Sequence, residues 1–353
     1  MNLRAAKYLL VYIIPLMVAF SLWSANAWSY SALIFVFGLI PLVELFTRSS
    51  SKNLEALEEE LVKKDRAYDW ILYFLVPVQY GILVYFLFQV NQEGLSLSTQ
   101  IGMALAYGMS CGVLGINAAH ELGHRSTWYE QLMSKMLLLT TLYMHFFIEH
   151  NRGHHRNVAT DEDPASSRLG ENVYAFFVRT ITGSYLSAWK LEKERLDKKS
   201  LPFWSLKNEM LRFQLIQLAL LGAIWFAYDW ETLLFFGLGA LTGILLLETV
   251  NYIEHYGLRR EKKNGHYERT LPIHSWNSNH PIGRMILLEL SRHSDHHYIA
   301  SRKYQVLRHH EESPQMPTGY PGMMLLALVP LLWFKVMNGE IRRFNSNMEL
   351  EKS

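Results

Sequence analysis

The sequence predicts an all-α integral membrane protein, with six transmembrane helices and a cytoplasmic helical cap that holds a histidine-rich metal site. Three observations predict it. Half of the 353 residues are hydrophobic and only 19% are charged, below the roughly 25% of an ordinary soluble domain. Six apolar stretches are long enough for a bilayer core about 30 Å thick, which needs roughly 20 residues at ~1.5 Å each. Fifteen histidines crowd near the ends of those stretches.

The stretches lie at about 8–26, 30–47, 69–90, 99–119, 210–228 and 231–250. The first is expected to be a retained span, because it is long, Pro15 interrupts it and a second apolar run follows at once. Ser24–Ser29, Asn91–Ser98 and Asp229–Glu231 contain no Lys or Arg, whereas all 34 fall at the N-terminus, in the 48–68 loop, or in 120–212 and 251–353. By the positive-inside rule the basic segments are cytoplasmic. Residues 1–119 then hold four spans with an amphipathic cytoplasmic loop at 48–68, and residues 120–209 form a first cytoplasmic segment. Residues 210–250 hold two more spans, and 251–353 form a second cytoplasmic segment. Both termini and the site face the cytoplasm, and a multi-pass inner-membrane location is expected.

A seventh apolar run, Leu132–Ile148, breaks this pattern. As a true span it would put His120 and His124 across the membrane from His150. It is short and carries Lys135 and His145, so it is expected to be buried at the cytoplasmic side or re-entrant.

Some functions are excluded. A net charge of +2 leaves no footprint for nucleic acid. A single cysteine, Cys111, excludes a disulfide scaffold and an iron–sulfur cluster. No glycine-rich dinucleotide motif follows a strand, and Gly237-Leu238-Gly239 lies within a span, where glycine serves packing. No bound flavin, haem or iron–sulfur cluster is expected.

Four histidine motifs remain. His120-Glu121-Leu122-Gly123-His124 ends the fourth stretch, and its i, i+4 spacing puts both imidazoles on one helical face. The same spacing recurs in Glu149-His150-Asn151-Arg152-Gly153-His154-His155. In His293-Ser294-Asp295-His296-His297 the three histidines all fall near one face, and His255 follows the sixth stretch. Nine histidines exceed the four to six ligands of one ion, so two metals are expected. His145, His266, His274, His280, His309 and His310 are read as hydrogen-bonding or solvated bystanders. Neutral imidazoles leave the ions' charge uncompensated, so Glu121, Glu149, Asp163, Glu254 and Asp295 are the candidate carboxylates beside them. Asp163 fits a simple turn equally well. Imidazole suits zinc, copper, nickel and iron alike. H-E-x-x-H also matches a zinc-protease helix, so an intramembrane zinc protease with a single zinc remains an alternative.

The four motifs, with Ala159-Thr160, Glu162–Ser166 and Arg308–Tyr320, closely resemble those of the integral-membrane alkane 1-monooxygenases, over roughly residues 110–340. Three histidine boxes alone are shared by membrane di-iron enzymes, including fatty acid desaturases and lipid hydroxylases; the His255-Tyr256-Gly257 motif narrows the likeness to alkane and xylene monooxygenases. Departures such as Tyr298-Ile299 after the last box bear on substrate preference. The resemblance implies two iron ions and hydroxylation of the terminal methyl of linear alkanes to primary alcohols, with O2 and two electrons. A xylene-type methyl-arene monooxygenase or a lipid desaturase or hydroxylase is the alternative within the superfamily. The resemblance also implies rubredoxin as electron donor, fed by rubredoxin reductase and NAD(P)H. Arg259, Arg260, Lys262 and Lys263 are candidates for docking that acidic partner, or are simply the basic residues that follow a span.

Overall fold

A computed structural model describes residues 3–352. Its regular elements are helices, apart from the paired two-residue strands Lys262–Lys263 and His266–Tyr267. Among the described residues, six helices are long and apolar enough to cross a membrane: Arg4–Trp23, Asn26–Glu44, Ala67–Val90, Leu97–Gly123, Glu209–Ala227 and Trp230–His255. They are spans 1–6 below.

Short polar residues start several of them. Ser96 accepts from the backbone N–H of Thr99, Asn208 from that of Leu211 and Asp229 from that of Thr232. Each cap satisfies an N–H that the first helical turn leaves free, worth ~1 kcal/mol. Spans 4 and 6 run further than hydropathy marks them. His120–Gly123 occupy the last turn of span 4 with His124 capping it, and His255 is the last residue of span 6 rather than a residue beyond it. The reason is physical: polar side chains lower local hydropathy, but the backbone stays helical because these groups find buried partners within the protein.

Span 4 is the centre of the bundle, with 83% of its most apolar window buried against 17% for span 5. It meets span 6 along a seam of small residues. A Cβ added at Gly108 would run into Thr242, at Gly239 it would lie 2.5 Å from Tyr107, and at Gly243 2.5 Å from Cys111. Glycine permits this approach, and the close seam brings the ends that carry His120 and His255 together.

The run Leu132–Ile148 is not one helix. Helix Trp128–Leu139 ends at Thr140, and the chain restarts at Phe146–Glu149. Thr140 and Thr141 turn their hydroxyls back onto the carbonyls of Leu137 and Leu138, and Leu142 adopts φ 55°. The turn reaches mid-bundle depth: Thr140 accepts from Tyr107 of span 4 at 2.7 Å and from Gln79 of span 3 at 3.1 Å. The segment therefore turns back within the bundle rather than crossing it as one helix, and its polar turn is satisfied inside protein.

Within the 48–68 loop, Ala56–Lys64 is helical, with Val62 buried and Leu57 and Leu61 exposed. Arg308 donates to Glu59 of this helix at 2.8 Å, which fastens it to the segment after the last histidine box. Helix Val173–Lys198 buries Phe176, Thr180, Ser184, Ala188 and Glu192 along one stripe. Three stretches wind more widely, as π-type turns: Phe35–Leu39, Cys111–Asn117 and His150–His154. Such turns gather at functional sites, and each of these three contributes to the site below.

Candidate metal centre

Four chain segments deliver the nine motif histidines to one place: the end of span 4, the π-type turn His150–His154 with His155 directly after it, the end of span 6 and the short helix His293–Tyr298. They form two groups, in each of which the potential donor atoms lie within 4.8 Å of one another. His120, His124, His150, His155 and His296 make one group, and His154, His255, His293 and His297 the other. The rings of His155 and His297, one from each group, are 4.5 Å apart, so the groups adjoin.

This division departs from the helical-spacing expectation. His150 and His154, four apart, go to different groups, and His155 joins His150 instead. A turn closed by i→i+5 bonds aligns residues five apart rather than four. In the last box the i, i+4 pair His293 and His297 stays together, while His296 faces the other group.

The ring nitrogens suit metal ions. In the first group the Nε2 atoms of His120 and His124 are 3.3 Å apart, those of His124 and His150 3.1 Å, and those of His150 and His155 3.0 Å. In the second, His255 and His293 are 3.3 Å apart and His154 and His297 3.2 Å. Nitrogens bound at ~2.1 Å and at right angles around one ion stand about 3 Å apart. Facing lone pairs repel without a cation between them, so two groups of this shape fit two metal ions. Burial lowers the His124 imidazole to about 3 and holds His150, His155, His293, His296 and His297 below their usual range. Neutral imidazole is the form that binds a metal. His154 differs. Burial opposes its protonation, but Asp163 outweighs burial and raises it.

The five candidate carboxylates have distinct surroundings. Asp163 accepts from Nδ1 of His154 at 2.8 Å and is itself held by Ser166 and the backbone N–H of Ala165. It makes a turn and orients a histidine at once. Glu254 places one oxygen 3.1 Å from Nε2 of His293 and accepts from the Tyr320 hydroxyl on the other. Glu149 packs over Gly153 and contacts Ser187; burial first, then Asp163, pushes it up to about 8. Asp295 turns away from the nine motif histidines, to Arg302, to His310 outside both groups and to the N–H of Arg308. Glu121 also turns away, to Arg125 at 2.6 Å and the N–H of Tyr304. It is therefore not placed as the general base of an H-E-x-x-H protease.

The other histidines lie outside both groups. His274 contacts Glu268 and His280 contacts Ser278, while His309 contacts Asn279 and His266 is exposed on the hairpin. His145 is buried between Tyr143 and Tyr185. Two supporting residues escaped sequence reasoning, Tyr320 beside Glu254 and Arg302 beside Asp295. Neither belongs to a histidine box, and nothing in local spacing signals them. Of the four basic candidates, Arg259 and Arg260 turn inward to backbone carbonyls, of Ser167 and of Glu268, while Lys262 and Lys263 are exposed on the hairpin.

A cavity of about 90 Å³ leads to the histidines. Its walls are apolar side chains of spans 1, 2, 4 and 6, among them Ile14, Val36, Met109, Ile116 and Leu247. At its polar end are His120, His150, His293, Glu254 and Tyr320. Apolar walls thus lead to a polar end at the histidines.

Comparison with known proteins agrees with the site. The profile of the fatty acid desaturase family matches residues 97–327. Alkane 1-monooxygenase 1 of Pseudomonas aeruginosa is 40% identical over 359 residues, covering 99% of this chain and 94% of that protein. Alkane 1-monooxygenase 1 of Alcanivorax borkumensis is 40% identical over 314 residues, covering 89% and 77%. The hydroxylase component of xylene/toluene monooxygenase from Pseudomonas putida is 29% identical over 276 residues, covering 76% and 72%.

Proposed function

The chain belongs to the fatty acid desaturase family and to the alkane 1-monooxygenases within it, and from that premise we propose that it hydroxylates the terminal methyl of linear alkanes to primary alcohols. The observation that carries the reading is the apolar cavity ending on two groups of histidines. The residues that would hold the metals are His120, His124, His150, His155 and His296 for one iron, and His154, His255, His293 and His297 for the other. Two bound irons supply activation of O2, using two electrons, and attack on an unactivated C–H bond.

The chain's own residues do the rest. The walls from spans 1, 2, 4 and 6 exclude water and align an alkyl chain end-on, which favours a terminal carbon over an internal one. Asp163 fixes the tautomer of His154 by accepting from Nδ1, leaving Nε2 for the metal. An alkane dissolved in the bilayer enters from the lipid side. Electrons come from a separate protein, rubredoxin supplied by its reductase and NAD(P)H, because this chain carries neither the motif for a dinucleotide nor the cysteines for an iron–sulfur site. The exposed Lys262 and Lys263 suit an acidic donor.

Metal analysis of the purified, active protein tests the reading. About two irons per chain are expected; one zinc and no iron in active protein would overturn it. Oxygen-dependent, NADH-driven formation of 1-alkanols by the reconstituted system is the accompanying activity. Methyl-arene hydroxylation without alkane turnover would favour the xylene-type reading.

The same reading puts the protein in the inner membrane, with both termini and the metal centre on the cytoplasmic side. The support is charge: the loops at 24–29, 91–98 and 229–231 lack Lys and Arg. The native cysteine, Cys111, is buried, so single cysteines introduced in each loop report cleanly. An impermeant thiol reagent added outside is expected to label Asn91–Ser98 and to spare Asn157–Asp163. Labelling of the second loop from outside would reverse the orientation.

A further inference from the structure

With the two histidine groups read as an oxygen-activating iron centre, we propose that Tyr143, Tyr185, Trp189 and Trp204 carry oxidising equivalents from it to the protein surface. They do so when O2 is activated without an alkane in the cavity. Among the described residues, the ring contacts of the nine histidines leave the centre through one side chain. Phe146 stacks on His150 with ring centres 4.7 Å apart and lies 6.3 Å from His120. Tyr143 follows at 6.3 Å from Phe146, and His145 bridges it to Tyr185 at 4.3 and 5.2 Å. Tyr185 and Trp189 stand one turn apart on helix Val173–Lys198, so their rings meet, at 6.4 Å. Phe203 lies 5.9 Å from Trp189, and Trp204 lies 5.1 Å from Phe203. Trp204 is 81% exposed. Its loop is pinned, since Asn208 donates to the carbonyl of Phe203 at 3.0 Å and Arg195 to that of Lys207 at 2.7 Å. The line of rings is unbroken from His150 to solvent. Tyr252, Tyr256 and Trp333 also pack together, 5.1–5.5 Å apart, but they are buried and have no ring contact to the nine histidines.

Chemistry that breaks an unactivated C–H bond is strong enough to damage the histidines themselves when that bond is missing, a side reaction that a closed site must suppress. Tyrosine and tryptophan give up an electron more readily than phenylalanine or histidine, so Phe146, His145 and Phe203 act as bridges between them. Tyr143 is placed for the first step. Its hydroxyl donates to Glu248 Oε1 at 2.8 Å, and Thr180 and Asn251 hold the other oxygen of Glu248. When the centre takes one electron from Tyr143, the phenolic proton passes to Glu248, and it returns when Tyr185 supplies an electron. Trp189 refills Tyr185, Trp204 refills Trp189, and a cytosolic thiol refills Trp204. Two such passages bring two electrons to the centre, which takes up two protons, and the oxygen atom that found no C–H bond leaves as water. Two thiols lose those electrons and two protons and become one disulfide.

The test uses full-length, iron-loaded protein, reduced with dithionite, freed of the excess and mixed with O2 in the absence of alkane. Rapid-freeze electron paramagnetic resonance is expected to show tyrosyl and tryptophanyl radicals. Peptide mass spectrometry should find Trp204 oxidised without thiol and spared when glutathione is present. In Trp189→Phe, oxidation should stay on Tyr143, Phe146 and the histidines, leave Trp204 unmodified, and inactivate the enzyme several-fold sooner. Hydroxylation at saturating alkane should match the parent. Trp204→Phe, a change at an exposed side chain, should also hasten inactivation, and it keeps the test open if Trp189→Phe does not fold. An unmodified Trp204 in the thiol-free parent overturns the proposal, as does an equally oxidised Trp204 in Trp189→Phe or inactivation of both variants at the parent's rate. Slower turnover of either variant at saturating alkane also overturns it, because the line would then deliver electrons during normal turnover. A parent protein that holds no iron or consumes no O2 would instead overturn the functional reading itself.

Discussion

His255→Ala is expected to abolish hydroxylation and to cost the protein an iron, whereas His266→Ala, eleven residues on, keeps activity within a few-fold. The contrast follows from placement. His255 is fully buried at the end of span 6, with its ring 5.0 Å from that of His154 and 5.1 Å from those of His293 and His297. Removing it leaves three histidines in the smaller group. Loss of an orienting partner alone typically costs 10–100-fold, and loss of a donor exceeds that. His266 sits exposed on the hairpin, beside the turn at Asn264-Gly265. Iron content and 1-alkanol formation should be measured at matched protein level, because metal loss also weakens folding. An active His255→Ala that keeps both irons, beside an inactive His266→Ala, would show that the fourth motif does not hold metal.

The cavity yields the second large effect. Met109, Ile116 and His120 line it along span 4, and Met109 lies eleven residues before His120, about 16 Å away at ~1.5 Å per residue. Ile116 stands about one turn from His120. Ile116→Trp should therefore close the space beside the metals and remove turnover of every alkane at least tenfold. Met109→Trp should shorten the cavity from its far end, sparing short alkanes and reducing long ones at least tenfold. Overpacking typically costs 1–3 kcal/mol, so both variants need iron content and monodispersity equal to the parent before rates are compared. A chain-length profile that neither substitution alters would mean that the alkane binds elsewhere.

Much of the fold is legible along the chain, because hydropathy is a local property. All six spans appear as apolar runs, and the Leu132–Ile148 run betrays itself by its length and by Lys135 and His145. Span ends are less legible. The fourth and sixth helices continue to Gly123 and His255 through residues whose polarity marks them as outside the bilayer when taken one by one. Their backbone is indifferent to that polarity once histidines and carboxylates have buried partners.

The histidines were legible as a cluster and not as an arrangement. Spacing of four residues pairs His120 with His124 and His293 with His297, as α-helical winding dictates. It misplaces His154, because the chain winds as a π-type turn there and aligns His150 with His155. The carboxylates were legible as candidates and not as partners, for a similar reason. Glu121 and Asp295 sit inside histidine boxes, yet each turns to arginine; Asp163, eight residues past a box, reaches back to His154.

By itself the sequence determined that this is a helical membrane protein with a metal-binding polar end, since span length, loop charge and box composition depend only on neighbours along the chain. Tertiary structure alone decided how nine imidazoles divide into five and four, which carboxylates approach them, and where an apolar cavity meets them. Those features join residues as distant as Ile14 and Tyr320. Their convergence depends on how closely the spans pack, at seams such as Gly108 against Thr242, and on the winding of a few turns. Neither is a property of any one segment.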